Sequence, residues 1–68
     1  MALDEKFIGG NIRKYRKLKK LSQEELGEQI GMKGSMISYI ENNRRRVQCD
    51  QLIKFSEFFG CAMEDLFR

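Results

Sequence analysis

Sixty-eight residues and 8.0 kDa leave room for one small domain, 1–68, and at that size folding buries only about 60% of the surface the unfolded chain exposes, so a second copy is a natural source of further burial. Hydrophobic residues (41%) and charged residues (34%) balance as in a soluble globular domain, and no apolar run approaches the length of a membrane span or secretory signal, so a cytoplasmic protein with no membrane partner is expected. The net charge is only +3 but unevenly spread: residues 1–46 hold eleven cations and six anions, a net +5, whereas 47–68 hold two cations and four anions, a net −2.

The periodicity is helical throughout. Ile8, Ile12 and Tyr15 recur at i, i+4 and i+7, with Phe7 and Leu18 at the margin, which predicts a first helix over about 5–19. Gly9 and Gly10 weaken its first turn by roughly 1 kcal/mol each relative to alanine. Its other face carries Arg13, Lys14, Arg16, Lys17, Lys19 and Lys20, six cations in eight positions. Ser22 followed by Glu25 reads as a capping box opening a second helix. Leu26 and Ile30 give that helix an apolar edge, Gly27 leaves a side open to close approach, and Gly31 supplies the stop.

A third helix is predicted over 34–42. Met36, Ile37 and Ile40 fall on one side of it, while Ser35, Ser38, Tyr39 and Asn42 fall on the other, a face with almost no charge. Asn43 can take the left-handed conformation that closes the helix, and Arg44, Arg45 and Arg46 open the loop that follows. A fourth helix over 49–59 sets Leu52, Phe55 and Phe59 inward and ends at Gly60. A short fifth follows, with Ala62 as a poor cap, Glu64 and Asp65 at its positive end, and Met63, Leu66 and Phe67 as apolar contacts. The expected fold class is therefore all-α, with five short helices in one compact domain.

Catalysis finds no support in these residues. There is no histidine, no glycine-rich phosphate loop and no nucleophile elbow, so neither an enzyme nor a cofactor is expected. Cys49 and Cys61 stand twelve apart outside any CxxC pair, which argues against a metal site and for two buried, inert thiols. A lone basic run is ordinarily a solvated helix face. Here two runs flank one motif, and basic surface gathered on one side is the electrostatic footprint of a nucleic-acid binder.

That motif is a helix, a glycine turn and a second helix with a polar outer face, the helix-turn-helix pattern, over 23–42. Leu26, Ile30, Met32, Ile37 and Ile40 are its apolar positions, Gly27 its small one and Gly31 its turn. The string LSQEELGEQIGMKGSMISYIEN resembles the lambda-repressor-like (XRE-type) helix-turn-helix family, whose usual form is LSQEELA, then G, then an apolar residue and S-x-S-x-I-S-x-IEN. The resemblance runs on through Leu52 to GCAMEDLF and covers nearly the whole chain.

The resemblance implies a sequence-specific, dimeric transcription regulator, a repressor on a pseudo-palindromic operator in double-stranded DNA. An antitoxin or another protein-binding module of the same fold is the alternative. It assigns base reading to Lys33, Gly34, Ser35 and Tyr39, to which the helical wheel adds Ser38. It assigns phosphate contacts to Gln23, Asn42 and the loop of Arg44, Arg45 and Arg46, with Arg13, Arg16 and Lys17 added from the basic run. Arg16 and Glu41 match a family couple that locks the first helix to the reading helix, where an unpaired buried glutamate would be costly. Lys33 stands where the family places a serine or threonine cap, Gly34 brings no side chain to a groove, and Asn43 replaces a usual glycine. Phe58, Met63, Leu66 and Phe67 are the expected dimer surface, more apolar area than so small a chain easily covers.

Overall fold

A computed structural model describes residues 5–68 and shows an all-helical body of 34 × 24 × 19 Å. A 3-10 turn (Glu5–Phe7) leads into α1 (Ile8–Leu18), α2 (Gln23–Ile30), α3 (Gly34–Glu41) and α4 (Cys49–Phe59), and a 3-10 helix (Met63–Phe67) closes the chain. Among the described residues four α-helices are formed, and the expected short fifth helix is a 3-10 helix. The fifth expected element is too short for an α-helical ladder to establish itself. Ala62 has no side-chain acceptor, and its first turn is secured by the Asp65 carboxylate, taking the Ala62 N–H at 3.1 Å, and by the Asp65 N–H, donating to the Ala62 carbonyl at 3.0 Å. The first helix also begins later than its apolar stripe suggests, because the turn ahead of Gly9–Gly10 has no side-chain cap and winds as 3-10.

Nine residues make the core: Ile8 and Ile12 from α1, Leu26 and Ile30 from α2, Ile37 and Ile40 from α3, Leu52 and Phe55 from α4, and Leu66. The expected inward stripes are thereby realised, with Tyr15 and Phe59 half-buried at their edge and stacked at 5.4 Å between ring centroids. Leu66, assigned above to a dimer surface, is instead wholly inside. The Asn11 side chain donates to the Leu66 carbonyl at 2.9 Å and draws the last turn onto α1. Phe7 and Leu18, marginal on the wheel, are exposed.

The helix ends follow from local chemistry. Ser22 Oγ accepts from the Glu25 N–H at 3.0 Å and Glu25 returns a carboxylate to the Ser22 N–H at 2.8 Å, the capping box expected. Those bonds, backbone first, hold the Glu25 carboxyl below its ordinary range. At the end of α3, Asn43 is left-handed (φ 57°), and Arg44 and Asn43 donate back to the carbonyls of Tyr39 and Ile40. The end of α1 repeats this pattern with a residue the sequence did not single out. Lys20 sits at φ 58°, its N–H reaching the Lys17 carbonyl, while the Leu21 N–H reaches that of Arg16.

Both cysteines are free. Cys61 is half-buried, and burial above all, with Asp65 beside it, pushes its thiol up, in keeping with an inert group. Cys49 departs from expectation: as the first residue of α4 it lies on the outer side and is exposed. Among the described residues, no cluster of three or more potential metal ligands occurs, and no helix is long and apolar enough to cross a membrane.

Candidate nucleic-acid interface

The relation between α2 and α3 is set by main chain touching main chain. A Cβ on Gly27 would strike the Met32 carbonyl, so glycine lets the turn fold down onto α2. On α3, a Cβ at Gly34 would lie 2.8 Å from Glu24 Cγ and 3.2 Å from the Glu24 backbone. Gly34 therefore faces α2 and not outward, which removes it from the base-reading set. Its missing side chain serves the seating of α3.

With Gly34 turned inward, the exposed side of α3 presents Lys33, Ser35 and Tyr39, the last 53% exposed, with Ser38 half-buried beside them. Lys33 occupies the cap position in extended conformation (φ −73°, ψ 147°) and makes no side-chain cap bond, so its ammonium group is not drawn back to the helix. Ile37 and Ile40 are buried on the opposite side. The wheel's partition of α3 is reflected in burial, with Ser35, Tyr39 and Asn42 exposed and Ile37 and Ile40 buried, whereas Gly34, assigned outward by the resemblance, packs against α2.

Behind α3 stands a buried charge network. Arg16 donates from Nε to Glu41 Oε2 at 2.6 Å, from one terminal nitrogen to Glu41 Oε1 at 3.0 Å, and from the other to the Leu21 carbonyl at 2.8 Å. These side chains are 10% and 1% exposed. The Glu41 bonds raise the Arg16 pKa further, against the burial that opposes its charge. The expected structural couple is present. Arg16 is largely enclosed, and each of its three nitrogens makes one bond within the protein, so its main engagement is structural.

Two neighbours complete the network. Gln23, the first residue of α2, donates to Glu41 Oε1 at 3.2 Å, and the half-exposed Arg13 lies 3.7 Å from the same oxygen. Gln23 and Arg13, both expected at phosphates, are thus brought side by side above one carboxylate. Lys17 is exposed one turn along α1 from Arg13. The rest of the basic run divides its duties: Lys14 lies over the Tyr15 ring at 4.9 Å and Lys19 over Phe58 at 5.2 Å.

Past α3, Asn42 is exposed but donates its amide to the Ser38 carbonyl at 2.8 Å. Arg44, Arg45 and Arg46 are all exposed, bordering a groove of about 320 Å³ floored by Ile8 and Ile40. Glu5, which lines the same groove, pairs with Arg46 at 3.2 Å, a contact that no sequence pattern announces. Forty-one residues separate the two, and a lone glutamate near the start of the chain carries no signal that would pair them.

A short helix, a glycine turn and a second helix seated on it with a polar outer face, bordered by exposed basic residues, define a helix-turn-helix protein of the XRE type. The family model for the helix-turn-helix matches residues 12–66, and the chain belongs to that family, whose members are DNA-binding transcription regulators. An uncharacterised helix-turn-helix-type transcriptional regulator of Methanocaldococcus jannaschii is 32% identical over 56 residues, covering 82% of this chain and 85% of that one. The crystal structure of the restriction-modification controller protein C.AhdI from Aeromonas hydrophila superimposes with a TM-score of 0.80 at 28% identity, covering 88% of this chain and 87% of that one.

Proposed function

We propose that this chain is a sequence-specific transcription repressor that acts in the cytoplasm as a homodimer on a pseudo-palindromic operator, laying α3 in the major groove of each half-site. The observation that carries this reading is the outward face of α3. Lys33, Ser35 and Tyr39 are exposed there, held from behind by buried isoleucines and by the Glu41 network. Lys33 suits the O6 and N7 acceptors of guanine, Tyr39 suits stacking or a thymine methyl, and Ser38 and Ser35 suit either base type. Arg13, Lys17, Gln23, Asn42 and the Arg44–Arg46 loop supply phosphate contacts that fix the register without reading sequence. Phe58, Met63 and Phe67 remain as the dimer surface, and likeness to a restriction-modification controller supports a regulatory role. Two α3 helices on one DNA face then reach half-sites ~34 to 36 Å apart.

A gel shift against genomic fragments at several salt concentrations, followed by selection of bound sites, tests this. Four phosphates neutralised per subunit give a dimer a log-log salt slope of roughly −7. Lys33→Ala is expected to lose about 1 to 3 kcal/mol on the selected operator and much less on random DNA, relaxing one base position per half-site. A flat salt response would assign the exposed face of α3 to a protein ligand instead.

A further inference from the structure

We propose, on the reading that this chain binds DNA, that Glu5 is an affinity-limiting residue: it occupies Arg46 in the free protein, and Arg46 exchanges the Glu5 carboxylate for a backbone phosphate on binding. The 3-10 turn at Glu5–Phe7 is fastened to the arginine loop at two points, the Glu5–Arg46 pair at 3.2 Å and the Asn43 side chain donating to the Lys6 carbonyl at 3.3 Å. Gly9 makes that approach possible, since a Cβ there would lie 2.7 Å from Asn43 Oδ1 and 2.5 Å from the Ile40 carbonyl. The turn therefore sets one carboxylate on a groove that all three arginines also line, in contact with Arg46.

Both side chains are largely in water, Glu5 56% and Arg46 85% exposed, so the pair is screened and weak enough to open. A DNA phosphate offers Arg46 a charge-assisted bond of the same kind, with counterion release added, and the Glu5 contact has to open for it to form. Glu5 thus lowers affinity for every sequence alike and blunts the salt response by one contact per subunit.

Random-sequence duplex DNA is the probe. Glu5→Gln is expected to tighten binding about two- to fivefold per subunit at low salt, to converge on the parent protein as salt rises, and to steepen the log-log slope by about 0.9 per subunit. In an Arg46→Gln background the same change should gain little, because the partner it releases is gone. Unchanged or weaker binding by a Glu5→Gln protein with unaltered melting and helical content would overturn the proposal. So would an equal gain with Arg46 absent, which would make Glu5 only a diffuse negative charge. Failure of the parent protein to bind duplex DNA in a salt-dependent way would instead overturn the DNA-binding reading itself.

Discussion

Glu41 accepts from Arg16 twice and from Gln23 once, with Arg13 close by. Its two cationic neighbours are not equivalent. Arg16 is enclosed and bidentate, whereas Arg13 is half in solvent and 3.7 Å away. Removing one partner of a buried pair strands the other charge, so Arg16→Met should cost about 3 to 5 kcal/mol in urea denaturation. Arg13→Met should cost less than about 1 kcal/mol. Equal losses would mean that the network shares its charge evenly. The Arg16–Glu41 couple was legible through the IEN string and the basic run. The inward turn of Gly34 was not, because a wheel ranks side chains by direction and glycine has none. Leu66 was misassigned for a related reason. In a segment as short as 63–67, periodicity does not decide which apolar residue enters the core, and the Asn11 bond to the Leu66 carbonyl links positions 55 apart.

Helix ends show where local chemistry speaks plainly and where it is overridden. Ser22 with Glu25, Gly31, Asn43 and Gly60 all announced their roles, and each adopts the geometry its type favours. Lys20 did not. A lysine in left-handed conformation carries a Cβ penalty, and it is tolerated because the chain must reverse between α1 and α2 while Leu21 tucks against the core. Lys20→Gly should accordingly raise stability by about 1 kcal/mol, read as a higher urea midpoint with an unchanged denaturant slope. A fall in the midpoint would show that the lysine side chain contributes more than its backbone strain costs. The fifth α-helix is the reverse case. Favourable acidic residues at 64 and 65 suggested a helix start, but Ala62 offers no side-chain cap and the segment winds as a 3-10 helix over Met63–Phe67.

At the scale of the whole molecule, charge is spread unevenly along the chain, net positive over residues 1–46 and net negative over 47–68. The exposed basic residues of α1 and the arginine loop frame α3, while Phe58, Met63 and Phe67 remain half-buried in the acidic final third. A face carrying the sign that DNA repels is free to meet a second copy, and so small a domain gains by covering it. Sedimentation equilibrium should show a dimer in the micromolar range, little altered by moderate salt because the contact is apolar. A monomer at high micromolar concentration, with and without duplex DNA, would contradict this. The overall layout was readable from composition and spacing because it rests on helical periodicity. The tie between Glu5 and Arg46 was not, since it depends on where the folded chain happens to bring its beginning.

The close approach of α2 and α3 at Gly27 and Gly34 has a consequence for how such proteins diverge. The seat of α3 rests on glycines and buried isoleucines, whereas the side chains at 33, 35 and 39, with half-buried 38 beside them, lie on the other side of the helix. Scaffold and vocabulary are carried by separate atoms. On the proposed reading of α3, those four positions are expected to be exchangeable together, as one cassette, for a different DNA word, with thermal melting of the variants as the check that the scaffold is unchanged.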